Sequence, residues 1–157
     1  MNRRAAGFTL LELMVAMAIL ALLASVALPL AELSVQRNKE SELRTALRQV
    51  RDALDAYKQA ADEGRIVLRP GDSGYPRTLA SLVEGVEDAK SPVRSKIHFL
   101  RRIPHDPFAD PGVPAEDSWG RRSYRSSHAS PQSGEDVFDI YSQSHGVGLN
   151  GIAYRDW

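Results

Sequence analysis

A long apolar run near the N-terminus constrains this chain more than any other feature. Residues 8–30 read FTLLELMVAMAILALLASVALPL, in which Glu12 is the only charged side chain. As a helix, a run of about 23 residues extends about 35 Å, which is enough to cross the hydrocarbon core of a bilayer. Arg3 and Arg4 precede the run. The positive-inside rule therefore keeps the N-terminal residues in the cytoplasm and sends the remainder of the chain across the membrane.

Three ordinary explanations of this run are a simple single-pass anchor, a secretory signal peptide and the buried helix of a soluble domain. A simple anchor normally avoids a carboxylate, because a charged Glu in an apolar helix costs about 2–3 kcal/mol on insertion scales. The small residues Ser25-Val26-Ala27 suit signal peptidase, but Glu12 inside the apolar core and Pro29 just beyond the site argue against a cleaved signal. The run is also apolar on every face, which disfavours a helix of a soluble domain.

The start of the run follows a more specialised pattern. A short basic peptide ends in Gly7, Phe8 begins the apolar run, and Glu12 is the fifth residue after the glycine. This pattern resembles the processing signal of type IV pilins and type II secretion pseudopilins. The resemblance implies that a prepilin peptidase cuts after Gly7 on the cytoplasmic face and methylates the new N-terminal amine of Phe8.

The same resemblance implies a location and a set of partners. The chain is expected to span the bacterial inner membrane once, with its C-terminal head in the periplasm. Its expected partners are copies of itself in a homo-polymer, other pseudopilins, the prepilin peptidase and the inner-membrane assembly platform.

Glu12 and Pro29 have physical roles that agree with this resemblance. Cleavage before Phe8 creates an ammonium group four residues from Glu12, on the same helical face, so the two charges are able to pair. In the family this pair is held to form with the terminal amine of a neighbouring subunit, which neutralises both charges and supports filament assembly. Pro29 lacks an amide hydrogen and predicts a helix kink near the outer membrane surface.

The residues after the apolar run predict an amphipathic stem helix. Apolar side chains recur there at alternating spacings of four and three residues and form one stripe: Leu43, Leu47, Val50, Leu54, Tyr57 and Ala61. Glu40 with Arg44, and Arg51 with Asp55, are predicted to form supporting pairs on the solvated face. Gly64 predicts the end of the helix. The stripe suits either a coiled coil or a helix packed on its own small sheet, and its length of about three heptads favours the second.

Residues 65–157 change character, with frequent Pro, Gly and Ser and short apolar segments. Three of these segments predict strands: residues 66–68, 122–124 and 137–142. Apolar residues from Leu79 to Val86 predict a short helix, with Thr78 as its N-cap and Gly85 near its end. This part of the chain therefore predicts a small head built on a short antiparallel sheet.

Taken together, these segments predict an α+β fold in which a long N-terminal helix packs its second half on the head. The boundaries are a leader peptide at 1–7, a transmembrane and assembly helix at 8–30, an amphipathic stem helix at 31–64 and a periplasmic head at 65–157.

The head narrows the resemblance to one branch of the family. Its motifs occur in a fixed order: Tyr75-Pro76, a Leu-Arg-Arg-Ile-Pro-x-Asp-Pro run at 100–107, Trp119-Gly120, a Phe-Asp-Ile-Tyr-Ser segment at 138–142 and Trp157. In that order they resemble the major, G-type pseudopilin of type II secretion. The resemblance implies a non-enzymatic structural subunit whose polymerisation drives protein export across the outer membrane, with a structured loop at 104–114 and Trp157 packed under the C-terminal turn. The alternative is a minor pilin or competence-type pseudopilin that acts as a tip or binding subunit, but such subunits tend to have a larger head or a disulfide-closed loop.

One departure from the family concerns calcium. G-type pseudopilins usually bind calcium through Asp residues in the loop that follows the Phe-Asp-Ile-Tyr-Ser strand. In this chain that loop, residues 142–151, reads SQSHGVGLNG and contains no carboxylate. A hard cation needs several oxygen ligands, including carboxylates. Asp139, Asn150 and Asp156 are weak calcium candidates that require the fold to gather them, and no other metal or cofactor is expected.

Composition excludes several other functions. Basic and acidic residues balance at 20 each, so no nucleic-acid partner is expected. The absence of cysteine excludes a disulfide framework, a thiol nucleophile and cysteine-based metal sites. The four histidines are dispersed and no hydrolase or phosphate-loop motif occurs, so the chain is not expected to be an enzyme. His105-Asp106 is adjacent in sequence, but the surrounding prolines indicate a structural role.

Overall fold

The computed structural model describes residues 9–157, except the side chains of Val26 and Leu28. Helix α1 runs from Leu10 to Asp62 and contains Pro29. Contacts divide the chain into two units, the first ending at Asn38 and the second comprising Lys39–Trp157. The second unit contains the short helix α2 (Ala80–Glu84), four strands and a final 3-10 turn (Tyr154–Asp156).

From Leu10 to Asn38, the first unit is helix in which the large apolar side chains are exposed. They are Leu10, Leu11, Leu13, Met14, Val15, Met17, Ile19, Leu20, Leu22, Leu23, Leu30, Leu33 and Val35. Within the part of the chain that the structure describes, α1 is the one helix long and apolar enough to cross a membrane. This agrees with the transmembrane segment predicted from the sequence.

Helix α1 ends as its sequence predicts, at a glycine. Gly64 adopts a positive φ of 70°. Its N–H donates to the carbonyl of Ala61, and the N–H of Arg65 donates to the carbonyl of Ala60, both at 2.9 Å. These two bonds form a Schellman motif, which requires the left-handed conformation that glycine adopts most easily.

Two separate antiparallel pairs of strands form in the head. Strands β1 (Val86–Glu87) and β2 (Lys96–Ile97) form one pair, and β3 (Trp119–Arg122) and β4 (Asp139–Ser142) form the other. In the second pair Trp119 lies opposite Ser142 and Arg122 lies opposite Asp139. The α+β fold is thus confirmed, with two small sheets where the sequence predicted one.

The hydrophobic core of the head is built on the second half of α1. All six apolar residues of the predicted stripe are buried, together with Ala46, Ala53 and Ala60. The head supplies the opposite side of this core: Ile66, Leu79, Leu82, Leu100, Trp119, Val137, Ile140 and Tyr154. The stripe therefore packs on the chain's own head, which is the arrangement that its short length favoured over a coiled coil.

Several predicted boundaries in the head were wrong. Residues 66–68 form no strand, because Ile66 alone turns into the core while Val67 is 82% exposed. The strand predicted at 122–124 instead ends at Arg122, as the last residue of β3. The N–H of Ser123 donates to the carbonyl of Gln132 and so takes no part in the pairing with β4.

The short helix lies where the sequence predicts it, but it begins one residue later and is shorter. Its N-cap is Leu79, without a side-chain hydrogen bond, and the hydroxyl of Thr78 instead contacts that of Ser81 at 3.0 Å. Gly85 ends the helix with a positive φ, as predicted, and Val86 then begins β1.

Candidate functional site

The N-terminal end of α1 carries the residue that the sequence singled out for assembly. Gly7 and Phe8 lie outside the described residues, so the cleavage site stays a prediction. Glu12 lies in the first turn, and its backbone N–H donates to Thr9 Oγ1 at 3.2 Å. Thr9 and Glu12 occupy the N-cap and N3 positions of the helix, and their Thr-x-x-Glu pattern is the sequence signal of a capping box. A carboxylate in this turn also stabilises the positive end of the helix dipole.

The carboxylate of Glu12 is exposed among apolar neighbours and has no ion-pair partner within residues 9–157. Such a group is stabilised by a cation that approaches the same helical face. The geometry of the described residues is thus compatible with the predicted pairing to a terminal amine.

Pro29 lies inside the helix, as predicted. Because it has no amide hydrogen, the carbonyl of Ser25 lacks its usual helical donor. The hydroxyl of Ser25 donates to the carbonyl of Leu22 at 2.7 Å and so supports the preceding turn. The kink itself stays a prediction.

Glu40 corrects the predicted charge pattern of the stem. The sequence placed it on the solvated face, yet it is only 3% exposed. Its Oε1 accepts the N–H of Leu149 at 2.8 Å and the hydroxyl of Tyr154 at 3.1 Å, while Oε2 lies 3.7 Å from the guanidinium of Arg44. The predicted pair with Arg44 therefore exists, but the carboxylate chiefly ties the helix to residues 149–154.

Arg51 corrects the pattern in the same way. Its Nε donates to Asp139 Oδ1 at 2.9 Å, in place of the predicted pairing with Asp55. Its Nη2 donates to the carbonyl of Ile140 at 3.2 Å and to the main-chain oxygen of Trp157 at 2.8 Å. One guanidinium thus binds both the last strand and the final residues of the chain.

Trp157 packs at the C-terminal turn, as the resemblance implied. Its ring lies 4.3 Å from the Arg44 guanidinium and makes an edge contact with Tyr154. A Cβ on Gly148 would lie 2.4 Å from the indole, so this glycine is required for the ring to approach the backbone. Tyr154 in turn stacks on Phe108 at 4.1 Å between ring centroids.

The calcium candidates are not assembled into one site. Both oxygens of Asp139 are bound by arginines, Oδ1 by Arg51 and Oδ2 by Arg122 at 3.1 Å. Asn150 Oδ1 accepts the N–H of Ile152 at 3.0 Å, and Asp156 is exposed beside Arg155.

Asp139 and Asp156 do line one cavity of about 40 Å³, but Arg51, Arg122 and Arg155 line it too. No group of three or more His, Asp or Glu side chains suited to a metal occurs among residues 9–157. The donor set that the sequence left open therefore does not fit calcium.

His105 and Asp106 hold the predicted loop at 104–114. The ring nitrogens of His105 lie 2.8 Å from the carbonyl of Asp106 and 3.0 Å from that of Val113. The buried carboxylate of Asp106 accepts the hydroxyl of Ser142 at 2.6 Å and the N–H of Phe108 at 2.8 Å. The two side chains thus have different partners within the head, and these bonds agree with the structural role predicted for them.

Two carboxyls in the head have their pKa shifted by neighbouring donors. A side-chain hydrogen bond from Arg65 lowers the pKa of Asp88 below its ordinary value. The backbone N–H of Arg69, and then the side chain of Arg77, lower the pKa of Asp72. Both carboxylates therefore favour the folded state in their ionised form.

Comparison with known proteins identifies the family. Residues 2–28 match the family model described as the prokaryotic N-terminal methylation motif. The type II secretion system core protein G of Aeromonas hydrophila is 32% identical over 114 residues, which cover 70% of this chain and 72% of that protein. No solved structure matches. The methylation motif, the exposed apolar helix and the likeness to core protein G agree with one another, and the chain belongs to the major, G-type pseudopilin family of type II secretion systems.

Proposed function

We propose that this chain is a structural subunit of a type II secretion pseudopilus, and that its polymerisation drives protein export across the outer membrane. The observation that carries the proposal is the exposed apolar half of α1, in a chain that is 32% identical to core protein G over 114 residues. An apolar helix of this length is stable only in lipid or against other apolar surfaces, because contiguous exposed apolar surface is unfavourable in water. Copies of the same helix provide such a surface.

Processing is the first step of the proposed function. A prepilin peptidase cuts between Gly7 and Phe8 and methylates the amine of Phe8. The family model supports this step, because it covers residues 2–28 and therefore includes the leader, the site and Glu12.

Assembly is the second step. The amine of Phe8 pairs with Glu12 of a neighbouring subunit, which neutralises two charges that would otherwise stay unpaired among apolar helices. Removing one partner from a buried ion pair costs about 3–5 kcal/mol, which is enough to disfavour every subunit addition.

Location follows from the same helix. The chain spans the inner membrane once, with Arg3 and Arg4 on the cytoplasmic side and the head in the periplasm. Its partners are further copies of the chain, other pseudopilins and the inner-membrane assembly platform. The head acts as a structural and not as an enzymatic part, and no observation on residues 9–157 favours the tip-binding alternative.

The test compares the replacement of Glu12 with the replacement of a second carboxylate on the same helix. Glu12→Ala should reduce sheared filaments below detection when the chain is overproduced with its secretion machinery, as seen by electron microscopy and immunoblotting. Membrane insertion and cleavage should persist, and mass spectrometry of the mature chain should show the loss of residues 1–7 and the gain of one methyl group.

Glu32→Ala is the matched control, because Glu32 is exposed on α1 beyond the apolar run. It should leave filament yield unchanged. Filaments of normal yield from Glu12→Ala would refute the assembly role, and a mature chain that keeps residues 1–7 would refute the processing step.

A further inference from the structure

We propose that the Arg51 guanidinium takes the place of the calcium ion expected in this family, and that Glu40 completes a metal-free clamp on residues 140–157. This inference goes beyond the proposed function, since it concerns how the head is held together and not what the filament does. We refer to Glu40, Arg44 and Arg51, with the segment they bind, as the helix clamp.

The ligands gathered by Arg51 are those that a calcium ion would take. Calcium binds carboxylate and backbone carbonyl oxygens. The guanidinium of Arg51 binds one carboxylate oxygen, from Asp139, and two main-chain oxygens, from Ile140 and Trp157, at 2.9, 3.2 and 2.8 Å. A fixed cation on α1 therefore already compensates these oxygens, and its planar fork reaches three acceptors at once.

A second cation would be repelled from the same place. Arg122 occupies the other oxygen of Asp139, and Arg155 lines the adjoining cavity. The three guanidiniums balance the acidic groups that line that cavity, Asp139 and Asp156 among them, and leave it without the excess negative charge that holds a divalent ion.

The segment after β4 directs hydrogen-bond donors toward α1, whereas a cation site would need oxygen acceptors there. The N–H of Leu149 and the hydroxyl of Tyr154 both donate to Glu40 Oε1, which is buried. The side-chain oxygens of the loop are also engaged locally, because Ser142 donates to Asp106 and Ser144 Oγ accepts the N–H of Gly146. The buried carboxylate of Glu40 thus orders the loop by accepting hydrogen bonds from its N–H and O–H groups. A bound cation would instead order the loop by binding its oxygen atoms.

Arg44 links the two halves of the helix clamp. Its guanidinium lies between Glu40 Oε2, at 3.7 Å, and the ring of Trp157, at 4.3 Å. Glu40, Arg44 and Arg51 recur at spacings of four and seven residues, so they lie along one side of α1. The clamp thus holds residues 140–157 along three turns of the helix.

The first test measures the effect of calcium on the unmodified chain. The full mature chain, purified in detergent, is heated in excess EDTA and in millimolar calcium chloride, and unfolding of the head is followed by tryptophan fluorescence. The midpoint should agree within about 1 °C in the two solutions, because only a ligand that binds the folded state raises it. A midpoint several degrees higher in calcium would overturn the proposal.

The second test compares Arg51→Ala with Arg48→Ala by hydrogen exchange and mass spectrometry. Arg48 is exposed on the same helix and, within residues 9–157, donates only to the carbonyl of Arg44, so its loss leaves the clamp intact. Arg51→Ala should speed exchange in residues 140–157 at least tenfold, while Arg48→Ala should not. Equal exchange in the two variants would also overturn the proposal.

Glu40→Gln tests the other half of the clamp, with the exposed Glu42→Gln as its control. Exchange of the Leu149 amide should rise at least tenfold in the first variant alone. If Arg51→Ala does not fold, Arg51→Lys keeps the charge and loses the fork, and it should show the same loss of protection in residues 140–157. Protection equal to that of the unmodified chain in both Glu40→Gln and Arg51→Lys would contradict the clamp.

Discussion

Asp106 provides the sharpest quantitative prediction for the head. Its carboxylate is 1% exposed and accepts the hydroxyl of Ser142, which is fully buried, and the N–H of Phe108. Asp106→Ala leaves both donors without an acceptor. Hydrogen bonds to a charged group contribute about 1.5–3 kcal/mol each, so the free energy of unfolding should fall by about 3–6 kcal/mol.

The same geometry predicts how the two side chains couple. Ser142→Ala alone should cost about 2–3 kcal/mol, because it removes one charge-assisted bond and the acceptor of the Ser144 N–H, and it leaves the carboxylate its bond to Phe108. In the Asp106→Ala background the Ser142 hydroxyl is a buried donor without an acceptor, and only its bond from the Ser144 N–H at 3.2 Å remains. Removing the hydroxyl there should cost less than about 1 kcal/mol, so the cycle should give a coupling of about 2 kcal/mol.

Urea unfolding of the full chain in detergent measures these values. The sequence holds two tryptophans, Trp119 and Trp157, and both lie in the head, so fluorescence reports on the head and not on the apolar half of α1. With a slope of about 2 kcal/mol per molar urea, a loss of about 4 kcal/mol lowers the midpoint by about 2 M.

Asp110 offers the control for this experiment. It lies in the same loop and accepts the N–H of Gly112 at 2.9 Å, but it is exposed. Asp110→Ala should therefore change stability by less than about 1 kcal/mol. The reasoning fails if Ser142→Ala costs the same with and without Asp106, or if Asp110→Ala matches Asp106→Ala.

Two further predictions concern acid stability and the packing of the final turn. Because Arg65 lowers the pKa of Asp88, this carboxylate contributes stability that is complete above its unfolded pKa and is lost as pH falls through the folded pKa. The urea midpoint should therefore drop below about pH 4 in the unmodified chain and drop less steeply in Asp88→Asn; parallel curves would contradict this. Gly148→Ala should destabilise the head by about 1–3 kcal/mol, since the new Cβ meets the Trp157 ring, whereas Gly112→Ala has room; equal urea midpoints for these two variants would contradict it.

The sequence predicted the parts of the fold that depend on local periodicity. The stripe from Leu43 to Ala61 is buried because its spacing matches one face of a helix, and Gly64 ends that helix because it alone there adopts a positive φ easily. The N-terminal motif was recognised for a similar reason, since its residues lie within a few positions of one another.

The errors arose where distant residues decide the outcome. Glu40 was placed on the solvated face because Arg44 lies four residues away, but its main partners, Leu149 and Tyr154, are 109 and 114 residues away in sequence. One local signal was available: Glu40 precedes Leu43 by three residues and so extends the apolar stripe.

The short strands and the partners of Asp139 could not be predicted from local sequence patterns either. Strands β1 and β2 have two residues each, too few for an alternating pattern to appear. One of the groups that Asp139 binds is the guanidinium of Arg51, which lies 88 residues earlier in the sequence. Whether a carboxylate meets a metal or a guanidinium is settled only when the helix and strand β4 come together.

The long sequence separations within the helix clamp also govern when the head completes its folding. The bond between Glu40 and Leu149 closes a loop of 109 residues, nearly the whole span of the second unit. Contacts of this range form late, because much of the chain must be ordered first. The apolar face of α1 therefore stays partly uncovered until the final residues arrive, and a chain that stops before Tyr154 presents that face to proteases and to other unfolded chains.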